Sequence, residues 1–282
     1  MSRAETRTSR TEIGELLTDP RFELLPFDGM EEQAGYLPDG AKVAITASPE
    51  KGVDETVDRS VALASEGFEI STHVSARGVR SRDHLEEIAS TLQEGGIQDV
   101  FVPAGDDDDP AGPYDSSYAL LEDLTELGYS FERVGITGYP EGHQFIDDDV
   151  LWEFLEKKEP YADYVITQMS FDPDAVIAWT EAVRDRGIDL PIHVGVPGVM
   201  RYQRLMDISR RIGVGDSLSY LRKTTGIVDF IRQFVGSRGQ YTPDDFVEGI
   251  APQYGIEGGI DGVHLYTFNQ VQDTESWRRG YL

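Results

Sequence analysis

Ten polar residues stand at or near the ends of short apolar runs in this chain: Glu23, Ser48, His73, Asp106, Glu141, His143, Thr167, Gln168, Tyr266 and Asn269. Together they offer carboxyls for proton transfer, and amides, hydroxyls and imidazoles for hydrogen bonds to a planar ligand. Glu23 lies inside the apolar stretch FELLPF. Facing a buried interior, its carboxyl would have a raised pKa and suit general-acid work; facing outward, it would only meet polar groups of surrounding helices. Asp106 opens a run of four aspartates, and such a run reads as a solvated loop beyond its first member. Thr167-Gln168 interrupts an apolar stretch, where a buried amide must find partners, and tying neighbouring strands together would satisfy it. His73 fits a core histidine as well as a ligand contact, and Tyr266 fits ordinary packing.

Missing motifs narrow the chemistry. No serine sits in a GxSxG turn, no HExxH occurs, and no HxH pair marks an early strand, so serine and metal hydrolases lack support. His73, His143 and His264 are the histidines that could meet, but their spacing is no metal signature, and no metal is expected. The chain has no cysteine, which excludes disulfides, thiolate zinc sites and cysteine nucleophiles. One segment is unusually rich: GITGYPEGHQF, residues 135–145, places glycines, a proline, a tyrosine, a glutamate and a histidine in one loop. As structure, its Pro and Gly fix a turn; as a site, its ring faces and glycine backbone let a flat ligand approach.

The elements that must position these residues follow from hydrophobic patterning. Eight apolar or alternating runs occur, at 21–27, 42–48, 68–75, 99–106, 133–140, 164–171, 191–198 and 262–269. Amphipathic helical stretches lie between most of them, such as VDETVDRSVALASEG, SRDHLEEIASTLQEGG, DSSYALLEDLTELG and DPDAVIAWTEAVRDRG. SRDH and DPDA look like helix N-caps with acidic first turns. Strand–helix alternation implies a parallel sheet, and eight strands imply closure into a (β/α)8 TIM barrel of a single domain. An open doubly wound sheet is the alternative, but no GxGxxG follows an early strand. We expect a leading helix or arm over 1–20 and the barrel over 21–282. The interval 199–261 breaks the rhythm and reads as several helices, including YQRLMDISRRIG and PDDFVEGIA. In a barrel of this class the active site lies at the C-terminal ends of the strands, so the polar residues above should converge on one mouth.

The 282 residues carry 52 acidic and 25 basic side chains, a net charge of −27, and only five of the cations are lysines. Such a charge repels nucleic acid and anionic membranes. With 39% hydrophobic residues spread evenly, the chain reads as folded, with a surface suited to a salt-rich cytoplasm that screens self-repulsion. No apolar run is long enough to span a membrane and the first residues lack the apolar centre of a signal peptide, so a cytoplasmic location is expected.

The ordered set FELLPF, THVSA, PAGD, GYPEGH, ITQMSFD, VGVPG and HLYTFN resembles the methylenetetrahydrofolate reductase family over residues 21–270. The resemblance implies a (β/α)8 barrel that reduces 5,10-methylenetetrahydrofolate to 5-methyltetrahydrofolate with NADH or NADPH. It implies that Glu23 is the acid that opens the folate ring, and that Asp106 and Gln168 grip the pterin. It also implies cofactor contacts at His73, Gly105, Tyr139, His143 and Lys157. A carboxylate and an amide suit this task, because a pterin presents a flat donor–acceptor edge.

The chain departs from the family pattern where the cofactor FAD would be held. The usual Arg-Gly-Asp reads Ala104-Gly105-Asp106, and Glu156 stands where an arginine precedes the lysine matched by Lys157. Losing two cations beside a diphosphate weakens FAD binding, and salt weakens it further. The ITASP, VPAGD and FIDDD segments resemble those of a divergent actinobacterial branch, which implies direct hydride transfer without flavin. In that case Tyr139 and His143 would face the nicotinamide. A folate-binding protein without reductase activity, or a reductase of a methanopterin-type carrier, remains the alternative reading.

Overall fold

The computed structural model describes residues 9–105, 109–201, 203–204 and 240–282. Eight parallel strands close into a barrel: β1 (Arg21–Leu24), β2 (Lys42–Ile45), β3 (Glu69–His73), β4 (Asp99–Phe101), β5 (Arg133–Gly138), β6 (Tyr164–Thr167), β7 (Ile192–Pro197) and a last strand, Gly262–Tyr266. The strands follow one another around the barrel in chain order, and the last pairs with β1 through Arg21↔His264 and Glu23↔Tyr266. A short antiparallel pair, β8 (Met200–Arg201) and β9 (Gln240–Tyr241), precedes that last strand, which is therefore β10. The expected (β/α)8 TIM barrel is present, with all eight expected strands. They end earlier than the apolar runs do, because the final residues of each run have left the ladder to form the mouth.

Helices cover the outside. Among the described residues they are α1 (Arg10–Leu16), α2 (Met30–Ala34), α3 (Gly52–Ser65), α4 (Arg82–Glu94), α5 (Ser117–Glu126), α6 (Asp148–Lys158), α7 (Pro173–Asp185), α8 (Asp244–Ile250) and α9 (Val271–Arg279). Their apolar residues recur every three or four positions, as in Leu85, Ile88, Ala89 and Leu92 of α4, so one stripe faces the strands. Ser81 caps α4 by accepting from the His84 N–H, and Asp172 caps α7 by accepting from the N–H groups of Asp174 and Ala175. Sequence patterning passed over α6. Its first turn is the acidic run Asp147–Asp149, which favours a helix start but hides the apolar stripe behind it. Of the helices expected in 199–261, the PDDFVEGIA stretch forms α8; YQRLMDISRRIG lies largely outside the described residues.

The leading segment is a helix rather than a loose arm from residue 10 onward. Ser9 and Glu12 form a reciprocal capping box, and Ile13, Leu16 and Leu17 are buried. The Arg278 guanidinium of α9 donates to the carbonyls of Leu17 and Thr18, tying the two ends of the described chain together. Among the described residues, no helix is long and apolar enough to cross a membrane.

Inside the barrel, side chains from alternate strands stack in layers. The lower layer is an ion-paired network. Arg21 meets Asp99 at 2.8 Å and donates to the Tyr164 hydroxyl at 2.8 Å, which in turn donates to Asp99 at 2.6 Å. Ser71 lies 3.2 Å from the same hydroxyl, and Arg133 reaches Asp99 at 3.0 Å. This layer floors the space in which the candidate site sits.

Candidate active site

Two residues beyond Arg21 on β1, Glu23 turns into the same interior, where it is 6% exposed. Among the described residues, no arginine or lysine pairs with it. Burial raises its pKa from 4.5 to about 7, against the pull of His73. Its Oε2 lies 3.2 Å from Nε2 of His264, a residue with no exposed surface on β10. His73, two residues beyond Ser71 on β3, packs against Phe101 at 4.6 Å and against the His264 ring at 6.1 Å. Burial pushes both imidazoles down to about 3, so both are neutral around a carboxyl poised near neutrality. A protonated Glu23 donates to an unprotonated His264 Nε2, and an ionised Glu23 accepts from the other tautomer. The pair can therefore hold or release one proton without moving. Nε2 of His73 and Nδ1 of His264 are buried with no protein hydrogen-bond partner among the described residues, so each can meet a bound molecule. Glu23, His73 and His264 each offer a ligand atom within 4.8 Å of the others, so among the described residues this trio is the set that could grip a divalent cation.

The end of β1 is held by the chain after β10. The Thr267 hydroxyl donates to the Glu23 carbonyl, and the Asn269 amide both accepts from the Leu25 N–H at 2.8 Å and donates to the Leu25 carbonyl at 3.0 Å. Phe268 and Asn269 reach this position with φ of 49° and 58°, a left-handed turn that side chains other than Asn and Asp resist. Above the histidines, Tyr266 donates to the Thr167 carbonyl at 3.1 Å and stacks on Phe268. Burial, followed by the Glu23 charge, pushes its hydroxyl far above the usual range.

Gln168 follows β6 directly at the mouth. Its Oε1 accepts from the Met169 N–H at 3.2 Å, which leaves the amide N–H2 directed at no described partner. Gly105 has φ of 102°, and a Cβ there would lie 2.1 Å from Ser75 Oγ, so only glycine lets the loop after β4 pass the loop after β3. Arg77 stands against Gly105, but its Nη1 donates to the Asp115 carbonyl at 3.2 Å. Asp106 lies outside the described residues.

The loop of residues 139–147 is explained in part by Glu141. Its Oε1 accepts from the backbone N–H groups of Phe171 and Asp172, both at 2.7 Å, and so binds the loop after β5 to the loop after β6. Tyr139 and His143 meet edge to face at 5.4 Å, with Phe145 beyond His143 and 82% exposed. Lys157 is on α6, bound to Glu153 one turn away at 2.5 Å and lying over the Phe154 ring. Glu156 faces Arg186 at 3.6 Å.

Two contributors were named in the sequence, but their roles were not legible there. The pairing of His264 with Glu23 joins residues 241 positions apart, and only the closing register of the barrel creates it. Asn269 was expected to line the mouth, whereas it clamps the strand that carries Glu23. Its signal was the Thr-Phe-Asn run after an apolar strand, a place where Asn suits a left-handed turn.

A model of the methylenetetrahydrofolate reductase family matches residues 29–276. Methylenetetrahydrofolate reductase 1 of Schizosaccharomyces pombe is 26% identical over 213 residues, which cover 72% of this chain and 34% of that protein. Methylenetetrahydrofolate reductase 2 of Saccharomyces cerevisiae is 26% identical over 205 residues, covering 66% of this chain and 32% of that protein. The chain thus matches about a third of the length of these relatives. Among solved structures, the apo form of a protein described as a deoxyribose-phosphate aldolase from Toxoplasma gondii superposes with a TM-score of 0.50 at 13% identity, over 97% of this chain and 98% of that one. That likeness concerns the barrel alone.

Proposed function

The chain belongs to the methylenetetrahydrofolate reductase family, and from that premise we propose that it reduces 5,10-methylenetetrahydrofolate to 5-methyltetrahydrofolate with NADH or NADPH, Glu23 being the proton donor. The observation that carries this reading is a buried carboxyl with no counter-cation among the described residues, poised at about 7 beside a neutral histidine. The family match begins after Glu23, so this residue enters on its geometry and its motif. A protein that only bound the pterin would gain nothing from keeping such an acid desolvated.

In the proposed reaction Glu23 protonates N10 of the bound folate. The bond from N10 to the bridging methylene breaks, and the N5 lone pair forms the exocyclic iminium. Hydride from the dihydronicotinamide adds to the methylene carbon, giving the N5 methyl group and the oxidised nicotinamide. One proton and one hydride are consumed, and Glu23 is left ionised until solvent reprotonates it. The neutral imidazole of His264 stabilises either state of Glu23 by exchanging donor and acceptor roles. Gln168 offers its free amide N–H2 to the pterin edge. Asp106 is assigned to the same edge by motif alone. Tyr139 and His143 offer a ring face and a polar edge to the nicotinamide, and His73 closes the wall behind Glu23.

The described residues do not fit FAD. Position 104 is alanine, Lys157 is held by Glu153, and Glu156 presents an anion already facing Arg186. Among the described residues, a flavin diphosphate therefore lacks the paired cations that would grip it. Direct transfer from the nicotinamide is the reading this supports.

The test is anaerobic NADH oxidation by methylenetetrahydrofolate in concentrated KCl, using flavin-stripped protein with and without added FAD. Turnover without FAD supports direct transfer. Turnover only with FAD returns Tyr139 and His143 to a flavin. Folate binding without turnover in either arm removes the reductase reading in favour of a binding protein or another carrier.

A further inference from the structure

A cavity of about 310 Å³ opens between α6 and α7, on a different face of α6 from the one carrying Glu153 and Lys157. Its walls include Trp152, Leu151 and Leu155 from α6 and Trp179 from α7. The two indoles lie 5.9 Å apart at 22°. Protein contacts fix both rings. Arg186 lies 3.8 Å over the Trp152 ring and faces Glu156, and Gly138 has no Cβ where one would come within 2.5 Å of Trp179. Small residues of α7, Ala175 and Ala178, leave the space open. Tyr139 is a wall of this cavity and also meets His143 at the mouth. The cavity and the mouth thus share a wall.

We infer that this cavity is an adenosine pocket that anchors the far end of the dinucleotide whose nicotinamide reaches the mouth. The size is at the lower end for small-molecule sites, and aromatic walls suit a flat heteroaromatic base. Asp148 lies at the rim, where its carboxylate accepts from an exocyclic amine or from ribose hydroxyls. Among the described lining residues none is a lysine, arginine or histidine, Lys158 being buried with its ammonium on the Thr137 hydroxyl, and Asp147, Asp148 and Asp149 open α6 beside it. Phosphate is repelled there, so the base and its ribose enter while the diphosphate stays outside, along Tyr139. The identity of the full ligand rests on the reductase reading; the pocket for a nucleoside does not.

The experiment reads the pocket directly, since Trp152 and Trp179 are two of the three tryptophans in the chain. In a Trp277→Phe background, adenosine and NADH should each quench indole emission saturably, and uridine should not. Ala175→Leu, which fills the cavity, should raise the adenosine dissociation constant at least tenfold. It should also raise the KM for NADH by a similar factor, while leaving turnover with reduced nicotinamide mononucleotide, which lacks adenosine, unchanged. Ala178→Leu, at an exposed position on the same rim, repeats the test if Ala175→Leu fails to fold. Adenosine quenching without NADH oxidation would keep the pocket and remove the reductase reading. NADH oxidation that neither leucine variant alters, or an absence of quenching by adenosine, would overturn the pocket and leave the reductase reading standing.

Discussion

Two layers of the barrel interior are built on the same strands and finished differently. β1 contributes Arg21 to the lower layer and Glu23 to the upper; β3 contributes Ser71 and His73. Below, β4 and β6 answer with Asp99 and Tyr164, and each charge meets an opposite charge or a hydroxyl within 3.2 Å. Above, two residues further along those strands, β4 and β6 offer Phe101 and Ile166, which join Tyr164 in an apolar cluster. Among the described residues nothing there neutralises Glu23, and two ring nitrogens have no protein partner. Burial is nearly complete in both layers, so desolvation alone does not make a site. Withholding the counter-charge does, because the carboxyl then keeps its proton near neutral pH.

The largest expected effect tests the upper layer. Glu23→Gln keeps the size and a hydrogen bond to His264 but cannot donate a proton. Turnover should fall by roughly 10²–10⁴-fold, the usual range for a lost general acid, with folate affinity retained. In the unaltered protein turnover should decline as pH rises through about 7, where Glu23 loses its proton. Steady-state rates and a pH profile, with folate binding by calorimetry, check both. A variant with unchanged turnover would remove Glu23 from the chemistry.

The lower layer should respond in the opposite way. Asp99→Ala strands Arg21 in a buried site and should cost about 3–5 kcal/mol of stability, the usual cost of breaking a buried pair. Turnover per folded molecule should hardly change. Denaturant unfolding paired with active-site titration separates the two, and a large loss of turnover in the folded fraction would erase the distinction between the layers.

Stability against pH sharpens the comparison further. Between 4.5 and about 7, Glu23 keeps its proton in the native state while the unfolded chain has lost it, so stability falls as pH rises across that window. At pH 8 the cost is about 3 kcal/mol, which Glu23→Gln should recover and which should vanish near pH 4. The two neutral histidines act at the other end. Between about 3 and 6.5 the unfolded chain binds protons that His73 and His264 refuse, so stability is lost as pH falls through that range. Unfolding at pH 4, 6 and 8 would show both limbs. A Glu23→Gln variant no more stable than the parent at pH 8 would mean that the carboxyl is not held protonated by burial.

Much of this was legible in the sequence, for a reason that also marks where legibility stopped. The eight strands announce themselves because each is buried on both faces and must be apolar. Glu23 was conspicuous as a carboxylate within such a run. What it would meet was not, since His264 is brought beside it only when the last strand closes on the first. The same holds for Arg21 and Asp99, whose pairing crosses the barrel between residues 78 positions apart. Local patterning carries no information about such cross-barrel neighbours. Lys157 illustrates the complementary limit: the family resemblance assigned it to the cofactor, but no local pattern showed that the helical period sets it one turn from Glu153, to which it donates.

The smallest expected effect concerns the clamp that holds the upper layer in place. Asn269 satisfies both the N–H and the carbonyl of Leu25, and it does so from φ of 58°. Asn269→Ala removes both hydrogen bonds and leaves a Cβ in a left-handed conformation. Asn269→Gly removes the same bonds without that strain. The alanine variant should therefore be less stable than the glycine variant by about 1 kcal/mol. If the clamp acts by fixing the end of β1, both variants should lose the same few-fold in kcat, since both free the segment beside Glu23. The pH at which turnover declines should stay where it is, because burial and His264 still set it. An equal loss of kcat with unequal stability would assign Asn269 to positioning Glu23. A loss of kcat that tracked stability instead would reduce it to a turn residue, and the upper layer would then owe its geometry to the β1–β10 ladder alone.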